Sequence, residues 1–240
     1  MSQPPSLNMD ALLLDLKSHI EPEKAAFFPT FFQAFPGGYG EGDQFWGIRV
    51  PPLRQLAKKY RLLPIQQIEQ LINSAIHEQR LLALFILRLQ FEKADPAHQQ
   101  AIIDFYLSHL DGVNNWDLVD SSAHYLLGHW LLNKDTDILW QLANSNQLWL
   151  QRIAIMASFA FIQQGQFQLT LDLTEHLLHH PHDLIHKASG WMLREIGKRD
   201  LSVELAFLDQ HYQVMPRTML RYAIEKFEPE LRLSYLHGTR

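Results

Sequence analysis

The sequence predicts an all-α protein built as an α-solenoid of stacked helix pairs, and three observations predict it. Leu, Ala, Gln, Glu and Lys fill long stretches in which apolar residues recur at three- and four-residue spacings. Only 11 Gly and 12 Pro occur in 240 residues, and they sit at the breaks between those stretches. Basic residues that open apolar helices recur at a beat near 35 residues. No run alternates apolar and polar residues for long enough to predict a sheet.

Taken from the amino terminus, residues 8–20 carry Leu12, Leu13, Leu16 and Ile20 on one face. Pro22 then opens the next helix, with Glu23 favourable in its first turn. Pro36–Gly47, PGGYGEGDQFWG, has five glycines in twelve residues and is the only extended non-helical stretch. Such a loop inside a compact helical protein is more often functional or mobile than structural. No Gly-Lys-Ser/Thr closes it, so it is not a phosphate-binding loop. Asp95 before Pro96, Asp135 and Asp183 have N-cap character, while Gly165 and Gly197 lie near helix ends. The tract HLLHHPHDLIH holds His176, His179, His180, His182 and His186. His176 with His179 or His180 has ligand spacing on a helix, but HExxH is absent and the tract straddles Pro181. It reads as a polar turn, and no metal is expected.

The beat emerges when Arg80 in RLLALFILR, Arg152 in RIAIMASFAF, Lys187 in KASGWMLRE and Arg221 in RYAIEKF are aligned. Their spacings are 72, 35 and 34, which leaves one unit between the first two. About 35 residues is the length of a helix pair in an α-solenoid. The middle unit contains WDLVDSSAHYLLGHWLL, whose Trp116 lies 33 residues before Trp149. Asp120 stands there in place of the cation, one step off register by the tryptophan alignment. Equivalent positions of stacked repeats share a side, so a row of cations with one carboxylate among them is expected on one surface.

Trp116 and Asp120 are four apart and therefore neighbours on a helix face, with Asp117 also adjacent to Asp120. Two nearby carboxylates raise one another's pKa unless a cation or backbone amide relieves them. Asp117 is placed to cap the first turn while Asp120 faces outward. Core packing also accounts for a lone Trp, and capping for a lone Asp near a helix start.

Composition bounds the function. With 47% hydrophobic residues the chain can bury a core for one large domain or two small ones. The absence of Cys excludes thiolate-ligated zinc, iron–sulfur clusters and Cys nucleophiles, and is compatible with the cytoplasm. Apolar stretches such as Leu81–Leu87 and Trp149–Ile162 are too short to span a membrane, and Met1–Leu13 lacks the pattern of a secretion signal. The net charge of −5 speaks by itself against a nucleic-acid partner. The deficit is local, however: residues 1–150 hold 11 basic and 16 acidic groups, and 151–240 hold 10 of each. Arg49–Arg61 (RVPPLRQLAKKYR) has five cations, including Arg49, Arg54 and Lys58, and no anion. Lys187, Arg194, Lys198 and Arg199 form a second cluster, and Arg217 with Arg221 a third. Salt confines the protein's field to about ten ångströms, so such patches can follow a phosphate backbone despite an acidic total. A solvated helix face looks the same.

Five segments carry a resemblance. FWGIRVPPLRQLAKKY (45–60), WDLVDSSAHYLLGHWL (116–131), LWLQRIAI (148–155), IHKASGWMLREIGKRD (185–200) and MPRTMLRYAIEKF (215–227) occur in the chain in that order. Their order and spacing resemble the AlkD family of HEAT-like repeat alkylpurine DNA glycosylases, from about Pro22 to Leu236. The resemblance implies a single HEAT-like repeat domain over 1–240, a curved superhelix with a basic concave face. It implies release of cationic N3- or N7-alkylated purines, such as 3-methyladenine or 7-methylguanine, from duplex DNA without full base flipping. By the same resemblance Asp120 is the catalytic carboxylate, Trp116 and Trp191 flank the lesion, and Phe31 is the lesion-contacting aromatic of the amino-terminal helices. Arg152 lies beside the lesion's backbone, helped by Lys187, Arg194, Arg49, Arg54 and Lys58. Phe31 lacks the hydroxyl of a tyrosine, and loop 36–44 is longer than the resemblance implies. The implied enzyme is monofunctional, needs no metal or cofactor, and acts as a monomer on alkylated double-stranded DNA, away from membranes, in the bacterial cytoplasm at the nucleoid. The rival reading is a non-catalytic HEAT-like module that binds branched or undamaged DNA, or a protein, through the same groove.

Overall fold

A computed structural model describes residues 8–240. Part of Met1–Leu13, the stretch that lacks the pattern of a secretion signal, lies outside the described residues. The described residues form helices and turns with no strand, as the spacing of apolar residues predicts, and the one isolated bridge joins Gln44 to Ile76. The chain divides into two compact units, Met1–Ser122 and Ala123–Arg240.

The first unit contains α1 (Met9–Lys17), α2 (Pro22–Phe31), α3 (Val50–Lys59), α4 (Ile65–Ile72), α5 (His77–Phe91), α6 (Pro96–Ser108) and α7 (Trp116–Ser122). Starts follow local chemistry. Asn8 accepts the Ala11 N–H at the head of α1, and Asp95 accepts the His98 N–H ahead of Pro96 in α6. Helix α5 is the core: Leu81 through Leu87 are at most 5% exposed, and α3, α4 and α7 pack against it. Burying one such Leu or Ile contributes about 1.5–3 kcal/mol, which is why an apolar run this long folds as a helix covered on every side.

The second unit opens with a π-helical turn, His124–Gly128, followed by α8 (His129–Leu131), α9 (Asp137–Ala143), α10 (Leu148–Ala157), α11 (Phe159–Gln163), α12 (Gln168–His176), α13 (Asp183–Gly197), α14 (Leu201–His211), α15 (Arg217–Ala223) and α16 (Pro229–His237). Its central helix is α13, packed by α10, α14 and α15. Gly190 makes that packing possible, since a Cβ there would stand 2.4 Å from the Met219 carbonyl oxygen of α15.

Several local expectations change. Asp183 is the first residue of α13, and the cap is His182, whose side chain accepts the Leu184 N–H. Thr136 is the N-cap of α9, while Asp135 accepts the Asp137 N–H from one residue further out. Both glycines do lie at helix ends: Gly165 follows α11 with φ +72°, and Gly197 is the last residue of α13, facing the Glu204 carboxyl group. The His-rich tract forms the turn between α12 and α13: His180 Nε2 meets Gln151 Oε1 at 2.8 Å, and His186 Nε2 donates to the His180 carbonyl. Burial lowers the pKa of both His180 and His182. Among the described residues no helix is long and apolar enough to cross a membrane.

The glycine-rich loop differs most from expectation, because its carboxyl-terminal half is tied to the head of α5. Glu78 accepts backbone N–H groups from Trp46 at 3.1 Å, Gly47 at 2.7 Å and Ile48 at 3.1 Å. Gln44 exchanges backbone bonds with Ala75 and His77. Gly47 has φ +78°, and a Cβ on it would lie 2.3 Å from the Glu21 carbonyl oxygen, so the loop reaches this position only with glycine. The segment is part of the scaffold.

Candidate functional site

A cleft of about 460 Å³ opens in the first unit, lined from α2, α3, α5 and α7. Its wall is aromatic. Phe32 stacks on Trp116 with centroids 5.6 Å apart at 27°, and Phe31 meets Trp116 edge-on at 5.9 Å and 70°. Phe31 is 49% exposed, whereas Phe32 is 7% exposed and continues the stack onto Phe45 at 5.3 Å. Asp120 and Ser121 line the same cleft from α7, and Lys24, Arg49 and Arg54 line it from the other side. Trp116, Asp120, Phe31, Arg49 and Arg54, singled out from sequence, therefore meet at one cavity. Lys58 lies exposed on α3 and is not among its lining residues.

The cations of 49–61 are less free than their run implies. Arg49 pairs with Glu21 at 2.8 Å, and Lys59 with Asp15 at 2.5 Å, where Tyr60 also donates. Those two bonds hold the Asp15 carboxyl below its usual range. Arg54 lies 5.5 Å over the Phe85 ring, and Arg61 donates to the Lys58 carbonyl.

Behind the aromatic wall lies a buried charge cluster that the sequence reading missed. His77 is 1% exposed; its Nδ1 lies 3.0 Å from Asp43 Oδ2 and its Nε2 2.8 Å from Asp117 Oδ2. Arg80, 4% exposed, lies 2.6 Å from Asp43, and Asn114 donates to Asp43 at 2.9 Å. Asp117 thus binds His77 instead of capping α7, and Arg80 faces a carboxylate in the core instead of joining an exposed row. Burial opposes the charge on His77, but the Asp117 carboxylate and the bonds to Asp117 and Asp43 outweigh it and raise the pKa from 6.5 to about 9. Burial likewise pushes Asp43 up, and the bond from His77 with the Arg80 charge holds it below the usual carboxylate range. Nothing local in the sequence marks this cluster, since His77 finds its partners 34 and 40 residues away.

A raised histidine pKa contributes stability that is complete below the unfolded value near 6.5 and is lost as pH rises through about 9. Urea unfolding at pH 7 and pH 9.5 is expected to show a fall on the order of 3 kcal/mol, and His77→Gln to flatten that dependence.

In the second unit Arg152 is 4% exposed and donates to the Leu184 carbonyl. Trp191 donates through Nε1 to Glu195 at 3.2 Å and lies 6.3 Å from Phe159. The cations near it carry acidic neighbours: Lys187 pairs with Asp183 at 2.7 Å, Arg194 with Glu225, and both Lys198 and Arg199 with Glu195. Burial raises the pKa of Glu195, and the bonds from Lys198 and Trp191 lower it below the ordinary range. The second basic cluster is largely neutralised from within. The repeat register is nonetheless visible: Asp120, Arg152, Lys187 and Arg221 each occupy the fifth position of their helices, while Arg80 is at the fourth. Asp120 is therefore in step with the cations when counted from helix starts.

Fold and cleft together define an all-helical protein that presents a carboxylate and aromatic faces beneath a rim of cations. The chain belongs to the DNA alkylation repair enzyme family, whose model matches residues 12–227. Its fold is similar to that of a solved structure described as a predicted DNA alkylation repair enzyme from Enterococcus faecalis, with 17% identity, a TM-score of 0.67, and coverage of 87% of this chain and 97% of that one. No curated protein matches the sequence.

Proposed function

We propose that the protein is a monofunctional DNA glycosylase that hydrolyses the N-glycosidic bond of N3- or N7-alkylated purines in duplex DNA. The observation that carries this reading is the convergence of Asp120 with Trp116, Phe31 and Phe32 on one cleft bordered by Lys24, Arg49 and Arg54. Family membership supports a role in alkylation repair. The finer reading, a HEAT-like array over 1–240 of the AlkD type acting without full base flipping, rests on the sequence resemblance.

The chemistry follows from charge. Alkylation at N3 or N7 leaves the purine cationic, so as the bond to C1′ breaks its electron pair neutralises the departing base, and no strong general acid is required. Positive charge grows on the sugar, where the Asp120 carboxylate stabilises it and orients water toward C1′; the proton lost by that water passes to Asp120 or to solvent. Trp116 and Phe31 attract a cationic base through their π faces and discriminate against neutral purines. Arg49, Arg54 and Lys58 hold phosphates without reading sequence. Trp191 as a lesion contact, and Arg152, Lys187 and Arg194 as backbone contacts, rest on the resemblance alone.

The test is incubation of the purified protein with methylated and unmethylated duplex DNA, with chromatography of free bases and a count of abasic sites. Methylpurine release matched one for one by abasic sites, from the methylated duplex only, is expected. Binding to both duplexes without release would instead favour a non-catalytic DNA-binding module.

A further inference from the structure

The buried cluster behind the aromatic wall has no part in the bond-breaking chemistry above. A carboxylate can only accept, so a ring whose two nitrogens both meet carboxylates carries hydrogen on both and is an imidazolium. The charged groups facing His77 are Asp43 from the loop, Asp117 from α7 and Arg80 from its own helix. The rings of Phe32 and Phe45 cover it, with centroids at 4.7 and 5.0 Å. Two cations then balance two carboxylates, and the cluster is neutral only while His77 is protonated.

Asp117 stands three residues before Asp120, and both line the cleft. Carboxylates at that spacing on a helix are neighbours and disfavour one another's ionised form. We propose that His77 is a positioning residue for the cleft: its imidazolium cancels the Asp117 charge so that Asp120 stays ionised, and the same bond fixes the first turn of α7, which carries Trp116. Asp120 shares the cleft with Lys24 of α2 and with Arg49 and Arg54 at α3, and these reinforce the effect without touching Asp117 through any hydrogen bond among the described residues.

The inference rests on the glycosylase reading for one of its two readouts. The first is the pH profile of 7-methylguanine release. His77→Gln keeps a hydrogen-bonding side chain without charge, and the acid limb of its profile is expected to move up by on the order of one pH unit. Asp117→Asn removes the anion instead and is expected to move that limb down, and the double variant to return it close to wild type. The second readout needs no activity: the carboxyl carbon resonance of Asp120, assigned by its loss in Asp120→Asn, titrates with the same pattern across the same variants. An unmoved Asp120 titration in both single variants overturns the inference, as does an upward shift in Asp117→Asn. Absence of base release from wild-type protein refutes the glycosylase reading alone, and the resonance then decides the role of His77. Should His77→Gln not fold, Asp117→Asn still separates the outcomes.

Discussion

Asp43→Ala is expected to destabilise the protein by about 3–5 kcal/mol, because it leaves two buried cations without their shared carboxylate. The Asp43 side chain is 4% exposed and meets His77 at 3.0 Å, Arg80 at 2.6 Å and Asn114 at 2.9 Å. Removing it leaves the buried guanidinium with only the Ser74 carbonyl and Asn114 as acceptors, and the imidazolium with Asp117 alone. The glycine-rich loop also loses the tie that supplements the Glu78 clamp on Trp46, Gly47 and Ile48. Thermal unfolding is expected to move down by on the order of ten degrees. Asp43→Asn, which keeps an acceptor but no charge, is expected to lose less. A change below about 1 kcal/mol in Asp43→Ala would show that the cluster is solvated and contributes little.

Asp120→Asn is expected to reduce release of 7-methylguanine by about 10²–10⁴-fold while leaving affinity for duplex DNA unchanged or slightly higher. The amide has nearly the shape of the carboxylate, so packing around α7 is preserved. What disappears is the negative charge that opposes the cation growing on the sugar and the group that accepts a proton from water. Its loss also removes repulsion toward phosphates, which makes tighter binding the expected direction in a titration at fixed salt. A variant that fails to bind would point to a structural part for Asp120 instead.

What was legible in the sequence was whatever repeats or acts locally. Helical spacing marked α1 within 8–20, and Asp-Pro marked the start of α6, because both effects operate within one or two turns. The beat of about 35 residues placed Asp120, Arg152, Lys187 and Arg221 at equivalent helix positions, since helix pairs of similar length repeat their register. Contacts made across the chain were not legible. The cations of 49–61 read as a bare patch, yet Glu21 and Asp15 reach two of them from other elements. Five glycines suggest a functional or mobile loop, but its amides find Glu78 about thirty residues away, and a glycine count carries no information on that partner. His77 has no local mark at the head of an apolar helix, whereas the five histidines of the 176–186 tract are conspicuous in the sequence and organise a turn. The sequence did raise the question that His77 answers, namely what relieves two carboxylates three residues apart.

The most direct measurement is a base-release assay on methylated duplex DNA with wild-type protein and Asp120→Asn side by side, each at a concentration that saturates the DNA. Release of 7-methylguanine by the wild type, with none above background from the equally bound variant, is the expected result. Equal release by the two proteins would contradict the assignment of Asp120 and, with it, the catalytic reading of the cleft.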